Sequence, residues 1–481
     1  MSDRTRGATG GTGRGAEGGG ASRAEGGTGR GAEGGAASQA EGGAASRAEG
    51  GGASHADYDR IRVLWPDHLG LARGKYVPPA QLGRVRHCTG TWALGYSREM
   101  VPGAPGSHFF EGLPDMDAKV DLSDIRPGWE ERTGVVVADL AEHGEPVAVA
   151  PRSALRRAVA AWEARGYFPE VGIELEAYLL EPDGTGGWRP LDTPGAFVYG
   201  TGTAVDPVGV IDEIWEVAER SGLPMEAVNS EYDTPQFEFT LSHRDALRAA
   251  DDAFLFKVLA REVAQRHGLL LTFMGKPFSD RGGSGLHVNF SLLRSDGSDA
   301  FDDPGADDGM SALAKSCIAG LVEHHEALAG LLAPTVNAYK RLVPGLLAGC
   351  FANWGHDHRC TTVRVPPERG SGARLEHRLA DGAAVVHTAI AAALQAALLG
   401  VVDDLECPPP ESSDGLESSD SGRCAPPDLA SALDVLEADK ALCEAVGSEL
   451  VALHLAIKRA EWDRFRRVTT DWELREYLPF L

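Results

Sequence analysis

The sequence predicts an α+β protein, with a β-rich N-terminal part followed by a larger part that mixes helices and strands. Short strand-like segments bounded by Gly and Pro fill residues 60–140. Helical periodicity begins only at about residue 151. Further helices are predicted at 209–220, 242–267, 383–401 and 428–466. The strands between them alternate polar and apolar residues, which is typical of antiparallel sheets with one face on a core.

The first 57 residues are predicted to be a disordered tail. The tetrad Ala-Glu-Gly-Gly recurs there every eight residues from residue 16 onward, and the segment contains no aromatic residue. Such a composition does not bury enough apolar surface to offset the entropy lost on ordering. We therefore expect a tail at 1–57, a small N-terminal domain at 58–150 and a larger domain at 151–481.

The charge and the cysteine content limit the partners and the cellular compartment that are expected for this protein. The formal net charge is −25, which argues against a nucleic-acid partner. The start lacks the apolar segment of a signal peptide, and no long apolar run falls outside segments with core periodicity, so no membrane association is expected. The seven cysteines form no CxxC pair. An odd, unpatterned set is typical of a reducing compartment, so we expect a cytoplasmic protein.

Four strand-like segments carry unusual polar faces. Successive side chains on a strand point to opposite faces, so Glu174 and Glu176 of GIELEAYLL share one face. An ordinary solvent face would carry unrelated polar residues, whereas these faces carry charges and metal-binding groups. The other three polar sets are Gln236 with Glu238, then His287 with Asn289 and Ser291, then Arg374 with Glu376 and Arg378.

If those faces line one cavity, four carboxylates and one imidazole converge, and Glu231 at the start of the second strand adds a fifth carboxylate. Carboxylates held this close repel one another unless cations lie between them. Carboxylate-rich ligation with a single His suits Mg²⁺ or Mn²⁺ better than zinc, and six protein ligands exceed the need of one octahedral ion, so two or three ions per site are predicted. The predicted ligands are Glu174, Glu176, Glu231, Glu238, His287 and Glu376.

Arginines accompany the acidic set. Guanidinium forks match the oxygens of carboxylates and phosphates. Divalent ions combined with arginines are suited to stabilising a transferring phosphoryl group. No Walker-type GxxxxGK[ST] motif is present. The sequence therefore predicts a site for a nucleotide and a carboxylate substrate, with arginines from the set Arg341, Arg359, Arg364 and Arg378.

In these motifs the sequence resembles the glutamine synthetase family, over about residues 58–481. The matching segments occur in the family's order: GIELEAYLL, EAVNSEYDTPQFEF, FMGKPFSDRGGSGLHVNFSL, NAYKRLVPG, RCTTVRVP and RLEHRLADG. The resemblance implies a β-grasp N-terminal domain and a catalytic domain whose antiparallel strands form a funnel flanked by helices. It also implies a homo-oligomer, a dodecamer of two hexameric rings, that uses ATP, glutamate and a small amine.

The resemblance also implies a role for each site residue. One metal ion, next to glutamate, would be held by Glu176, Glu231 and Glu238. The other, next to the ATP phosphates, would be held by Glu174, His287 and Glu376. ATP would contact Glu226, Asn289, Ser291, Arg359 and Arg364, and glutamate would lie near Gly283, Arg341 and Arg378. The predicted catalytic residues are Arg341, Arg359 and Arg378.

Departures from the family's pattern bear on which amine attacks. Leu347 stands where glutamine synthetases usually carry a loop glutamate, and the region ALGYSREM lacks the acid of the usual ammonium pocket. Gly282 replaces a usual asparagine, which leaves part of the glutamate contact open. Glu231 and Glu238, seven positions apart, resemble the family's γ-glutamylating relatives.

We therefore predict an ATP-dependent ligase that joins the γ-carboxylate of glutamate to an organic amine of the polyamine or ethanolamine type, through γ-glutamyl phosphate. Two alternatives remain open. An ammonia-dependent glutamine synthetase would need ammonium to be bound without the loop glutamate. A non-catalytic regulatory paralogue would bind metal and nucleotide poorly, although all six metal-ligand positions are filled.

Overall fold

The computed structural model describes residues 57–481, so the predicted repeat tail, apart from Asp57, lies outside the described residues. The N-terminal strands are β1 (Arg60–Pro66), β2 (Ala72–Val77), β3 (Arg86–Cys88), β4 (Asp115–Lys119), β5 (Arg126–Pro127), β6 (Thr133–Val137), β7 (Asp139–Glu142) and β8 (Glu145–Pro146). They form two four-stranded sheets, in the orders β2-β1-β6-β5 and β3-β4-β7-β8.

The N-terminal strands pack around a hydrophobic cluster that also includes Leu453 and Ile457 of a C-terminal helix. Ile61, Val63 and Trp65 alternate along β1 and are all buried, as the two-residue period of a strand requires. The Trp65 and Trp92 rings pack with their centroids 5.3 Å apart. The β-grasp fold and the boundary after residue 150 stay predictions.

The larger part is organised around one sheet. Its strands are β9 (Tyr167–Pro182), β10 (Trp188–Pro190), β11 (Met225–Ser230), β12 (Gln236–Asp245), β13 (Leu270–Thr272), β14 (Leu286–Arg294), β15 (Trp354–His356), β16 (Val363–Val365) and β17 (Leu375–His377). The order is β11-β12-β9-β14-β17-β16-β15, and β10 and β13 also pair with β9. The pairs are antiparallel except β15 with β16.

Helices cover the apolar face of this sheet. On β9 the residues Val171, Ile173 and Leu175 are buried, and helices α1 and α3 pack against that strand. The opposite face of β9 carries Glu174 and Glu176, so the alternation predicted from the sequence places both acids together. The helices are α1 (Pro151–Glu163), α2 (Val210–Arg220), α3 (Ala246–Arg266), α4 (Ala312–Glu323), α5 (His325–Leu332), α6 (Val386–Val402), α7 (Leu429–Ala438), α8 (Lys440–Val446), α9 (Ser448–Phe465) and α10 (Asp471–Tyr477).

Helix boundaries differ from the sequence prediction at two places. α3 begins at Ala246 rather than 242, because the Asp245 side chain caps it by accepting a hydrogen bond from the Arg248 amide at 3.1 Å. The predicted helix at 428–466 is three helices. It breaks at Asp439, which caps α8, and at Gly447, whose φ of 127° does not fit a right-handed helix.

Two findings concern the environment of the chain. Within residues 57–481 no helix is long and apolar enough to cross a membrane. Cys350 and Cys424, 74 positions apart, are joined in a disulfide. The unpatterned cysteine set did not predict this pair. Cysteines that are far apart in the chain meet only through tertiary packing, so no spacing pattern marks them.

Candidate active site

Three neighbouring strands bring the predicted metal ligands together. In the register of the sheet, Glu238 on β12 lies opposite Glu176 on β9, and His287 on β14 lies opposite Glu174. Directly opposed residues of antiparallel strands are close neighbours, and like charges in such pairs destabilise a sheet. The side chains therefore converge on one face as the sequence predicted, at an electrostatic cost that calls for a counter-charge.

Two sets of ligand atoms are close enough to hold an ion each. In one set Glu176, Glu231 and Glu238 offer oxygens within 4.8 Å of one another. In the other set Glu174 and His287 are joined by Glu238. The first set is the one implied by the family resemblance. The second differs from it, because Glu238 rather than Glu376 completes it, so Glu238 lies between both sets.

The electrostatics of the cluster fit divalent cations. Burial, followed by the charges of Glu174 and other nearby groups, raises the pKa of Glu238 to about 8. The pKa of Glu231 is also raised, first by burial and then by Glu176. Carboxyl groups whose ionised form is this unfavourable are stabilised when a cation lies among them. The residues present therefore fit Mg²⁺ or Mn²⁺.

His287 is oriented for a role as a ligand. Its Nδ1 lies 2.9 Å from a carboxylate oxygen of Glu174, while its Nε2 lies 3.6 Å from Glu176. The ring is buried, and Nε2 has no hydrogen-bond partner among the described residues. A buried polar atom without a partner is costly. A cation between the two glutamates and the imidazole would satisfy it.

Glu376 is occupied by arginines. One carboxylate oxygen pairs with Arg364 at 2.7 Å, and the other pairs with Arg378 and lies 3.6 Å from Nδ1 of His287. Burial alone would raise its pKa, but Arg378, His287 and Arg364 together lower it to about 2. Glu376 is therefore a permanent negative charge at the rim of the cluster, within reach of His287 but outside both close sets.

The predicted substrate residues lie around a glycine-rich loop. Arg341 is buried, and a Cβ on Gly283 would lie 2.8 Å from its Cγ. A Cβ on Gly285 would lie 2.6 Å from its Nη2 and 3.1 Å from Nε2 of His287. The absence of side chains at both glycines thus lets the guanidinium approach the metal-binding cluster.

The structure brings some predicted nucleotide residues to the cluster and not others. Asn289 donates to Glu174 at 3.0 Å, and Ser291 follows two positions along β14, at the register position of Glu170. Glu226 is exposed at a bulge of the edge strand β11. Arg359 is exposed and forms no side-chain hydrogen bond or ion pair within residues 57–481.

Sequence reasoning missed the residues that shape the glycine-rich loop. Gln236 donates to the Gly283 carbonyl at 2.9 Å, and Tyr178 donates to the Gly282 carbonyl at 3.0 Å. Asp233 accepts the Gly282 amide, and a Cβ on Gly282 would lie 3.0 Å from its carboxylate. This carboxylate explains why a bare glycine fits where an asparagine was expected. The position of Asp233 between Glu231 and Glu238 in the sequence could have indicated that it lies near the site.

The loop at 343–349, called here the acceptor loop, lies against the site. Gly349 has a φ of +63°, and a Cβ there would lie 3.1 Å from the carbonyl carbon of Arg378. Leu347, two positions earlier, is 59% exposed. The segment 411–425 supports the loop, since the Gly345 amide donates to Leu416 at 2.9 Å. The Cys350–Cys424 disulfide closes that contact.

Comparisons with known proteins agree with this geometry. A family model described as the catalytic domain of glutamine synthetase matches residues 148–477. The glutamine synthetase of Pyrococcus horikoshii is 32% identical over 440 residues, covering 87% of this chain and 95% of that protein. The glutamine synthetase of Methanocaldococcus jannaschii is 34% identical over 386 residues, covering 76% and 83%.

Solved structures also align with this chain over most of its length. GmaS without ligand aligns with a TM-score of 0.77 and 29% identity, covering 88% of this chain and 97% of that chain. A GmaS complex with ADP aligns with a TM-score of 0.77 and 30% identity over the same shares. The family catalyses ATP-dependent carbon–nitrogen ligation and uses divalent metal ions, glutamate, and ammonia or an amine. The chain belongs to the glutamine synthetase family.

Proposed function

We propose that this protein is an ATP-dependent ligase that joins the γ-carboxylate of glutamate to an organic amine of the polyamine or ethanolamine type. The observation that carries the choice of amine is Leu347, an exposed aliphatic side chain on the acceptor loop. Ammonium is small and strongly hydrated, so its binding needs carboxylates or other acceptors to replace water. An aliphatic side chain offers none and suits a carbon substituent instead.

In the first step an oxygen of the glutamate γ-carboxylate attacks the γ-phosphorus of ATP, and ADP leaves. Two or three Mg²⁺ or Mn²⁺ ions would bind Glu174, Glu176, Glu231, Glu238 and His287, with Glu376 beside them, and supply charge neutralisation for this transfer. Arg341 and Arg378 are assigned to the glutamate carboxylates, and Arg364 with Arg359 to the phosphates, since guanidinium forks match these anions. Positioning and charge compensation account for most of the rate gain.

In the second step the amine nitrogen attacks the carbonyl carbon of γ-glutamyl phosphate. The carbon–oxygen bond to phosphate breaks, inorganic phosphate leaves and the nitrogen loses a proton. An amine attacks only as the neutral base, so it must give up its proton close to the cluster.

Two further observations support an organic acceptor. The N-terminal segment ALGYSREM lacks the acid of the usual ammonium pocket, which removes one anionic partner for ammonium. Both GmaS structures align over 97% of their length, and GmaS is a γ-glutamylmethylamide synthetase. The competing candidate is an ammonia-dependent enzyme, which is favoured by the archaeal relatives named above, since both are glutamine synthetases.

The test is phosphate release by the purified protein with ATP, Mg²⁺, glutamate and one amine at a time. Ethanolamine, methylamine, putrescine and spermidine form the panel, and ammonium is the reference. We expect kcat/KM for the best organic amine to exceed that for ammonium by at least about tenfold, a transition-state difference of about 1.4 kcal/mol. Equal or higher efficiency with ammonium contradicts the proposal, and no turnover with any amine favours the non-catalytic paralogue.

We also propose a cytoplasmic dodecamer of two hexameric rings. Exposed apolar side chains at the C-terminal end support assembly, because contiguous apolar surface marks contact sites between subunits. Trp472, Leu474, Leu478 and Phe480 are exposed by 56%, 45%, 72% and 85%. Mass photometry of the purified protein tests it: a species of twelve chains is expected, and a monomer contradicts the proposal.

A further inference from the structure

Arg341 is a buried cation without a carboxylate partner. Its Nη1 donates to the Leu379 carbonyl at 3.2 Å and its Nη2 to the Arg378 carbonyl at 3.3 Å. No carboxylate oxygen lies within 4 Å of its guanidinium among residues 57–481. An uncompensated buried charge is costly, so something nearby must offset it.

Asp381 is the buried acid beside this cation. It has no exposed surface, and one carboxylate oxygen accepts the Ala383 amide at 2.9 Å. The other oxygen has no hydrogen-bond partner within the described part of the chain. The negative charge thus remains largely available to act on its surroundings.

The backbone around Asp381 packs against the same glycine-rich loop as Arg341. Gly285, which leaves room for the guanidinium, forms a β-bridge with Asp381, and the Gly382 amide donates to Ser284 at 2.9 Å. A Cβ on Gly275 would lie 1.6 Å from the unpartnered carboxylate oxygen, so only glycine fits there.

Lys257 is a second cation close to the segment that carries Asp381. Its ammonium donates to the carbonyls of Gly382 at 2.8 Å and Ala384 at 3.4 Å, which fixes the segment that carries Asp381. Burial raises the pKa of Asp381 to about 6, while the positive charges of Arg341 and Lys257 oppose the rise. The carboxylate and both cations therefore act on one another without a direct ion pair.

We propose that Asp381 is a positioning residue for the substrate glutamate: it supplies the counter-charge that holds Arg341 in place, while the guanidinium N–H groups that do not donate to the Leu379 and Arg378 carbonyls stay free for a substrate carboxylate. A direct ion pair would occupy the fork that the substrate needs. A carboxylate that does not contact the guanidinium offsets the positive charge of Arg341 and leaves its remaining N–H groups available to the substrate. This inference rests on the assignment of Arg341 to glutamate in the proposed function.

The test is the isosteric substitution Asp381→Asn, which keeps the size of the side chain and removes its charge. We expect KM for glutamate to rise by about tenfold or more, with KM for ATP unchanged within about twofold. A matched control is Asp252→Asn, a buried aspartate of α3 that pairs with Arg126 away from the site. That control should lower thermal stability and leave KM for glutamate unchanged.

An unchanged KM for glutamate in Asp381→Asn, or equal rises for glutamate and ATP, would overturn the proposal. If that variant does not fold, Lys257→Met releases the segment that carries Asp381 without removing the charge of Asp381, and it should raise KM for glutamate with KM for ATP unchanged; no rise overturns the proposal. The assays use the best acceptor, ammonium included, so they do not depend on which amine is preferred. If no acceptor supports turnover, calorimetric glutamate binding with Mg²⁺ and ADP separates the failure of the proposed function from the failure of this inference.

Discussion

Protonation of Glu238 should control how tightly the cluster binds Mg²⁺. Glu238 is the one acid shared by both close sets of ligand atoms. Without metal its pKa is raised from 4.5 to about 8, by burial first and then by neighbouring carboxylates. A metal ion binds the ionised carboxylate, so binding must expel whatever proton Glu238 carries.

The size of the effect follows from that pKa. At pH 7 a carboxyl group with a pKa of about 8 is about nine-tenths protonated, so binding should release about 0.9 proton from Glu238, falling to about 0.1 at pH 9. Metal affinity should therefore fall by about tenfold for each pH unit below 8. The sign for the stability of the metal-free fold is opposite: the folded pKa of Glu238 lies above the unfolded one, so this group stabilises the metal-free fold below about pH 4.5 and loses that contribution as pH rises through about 8.

Titration calorimetry in two buffers with different ionisation enthalpies measures the released protons directly. Glu238→Gln should bind Mg²⁺ more weakly and lose this proton release. Glu219→Gln, an exposed glutamate of α2, is the matched control and should behave as wild type. Release of no proton by the wild type at pH 7, with about the same Mg²⁺ affinity at pH 6 and pH 8, would refute the reasoning.

Three further outcomes are expected. Glu174→Gln should raise the Mg²⁺ concentration needed for activity and nearly abolish turnover, because it removes a charge from the set that contains His287; wild-type kinetics would refute the assignment. Leu347→Glu should raise kcat/KM for ammonium by about tenfold, whereas the uncharged Leu347→Gln should not, and equal effects of the two would mean that charge is not the cause. Cys424→Ser should lower the free energy of unfolding by up to about 4 kcal/mol, because the disulfide closes a long loop. The control Cys88→Ser changes an exposed free thiol, and matching stabilities of the two variants would contradict the disulfide's role.

The polar faces of the strands were predictable because side-chain alternation is a local property. Glu174 with Glu176, and His287 with Asn289, lie on one face wherever a strand forms. Antiparallel pairing then needs only a consistent register to bring β9, β12 and β14 together. This is why the convergence of these side chains on one face could be predicted, while the order of the strands in the sheet could not.

The remaining features depend on packing between segments far apart in the chain. Glu238 joins both ligand sets because of where β12 lies in the sheet, and Glu376 is drawn away by Arg364. Asp381 acts on Arg341 from a segment distant in the chain, and no spacing pattern marks that relation. The breaks at Asp439 and Gly447 follow caps and backbone angles that periodicity does not report.

The central claim is that the acceptor is an organic amine, and an internal competition tests it most directly. The protein is incubated with ATP, Mg²⁺, glutamate, and equal concentrations of ¹⁵N-labelled ammonium and the best amine of the panel. The two γ-glutamyl products are quantified by mass spectrometry. Their ratio equals the ratio of kcat/KM for the two acceptors. We expect the γ-glutamyl derivative of the organic amine to predominate by at least about tenfold. Predominance of ¹⁵N-glutamine would contradict it.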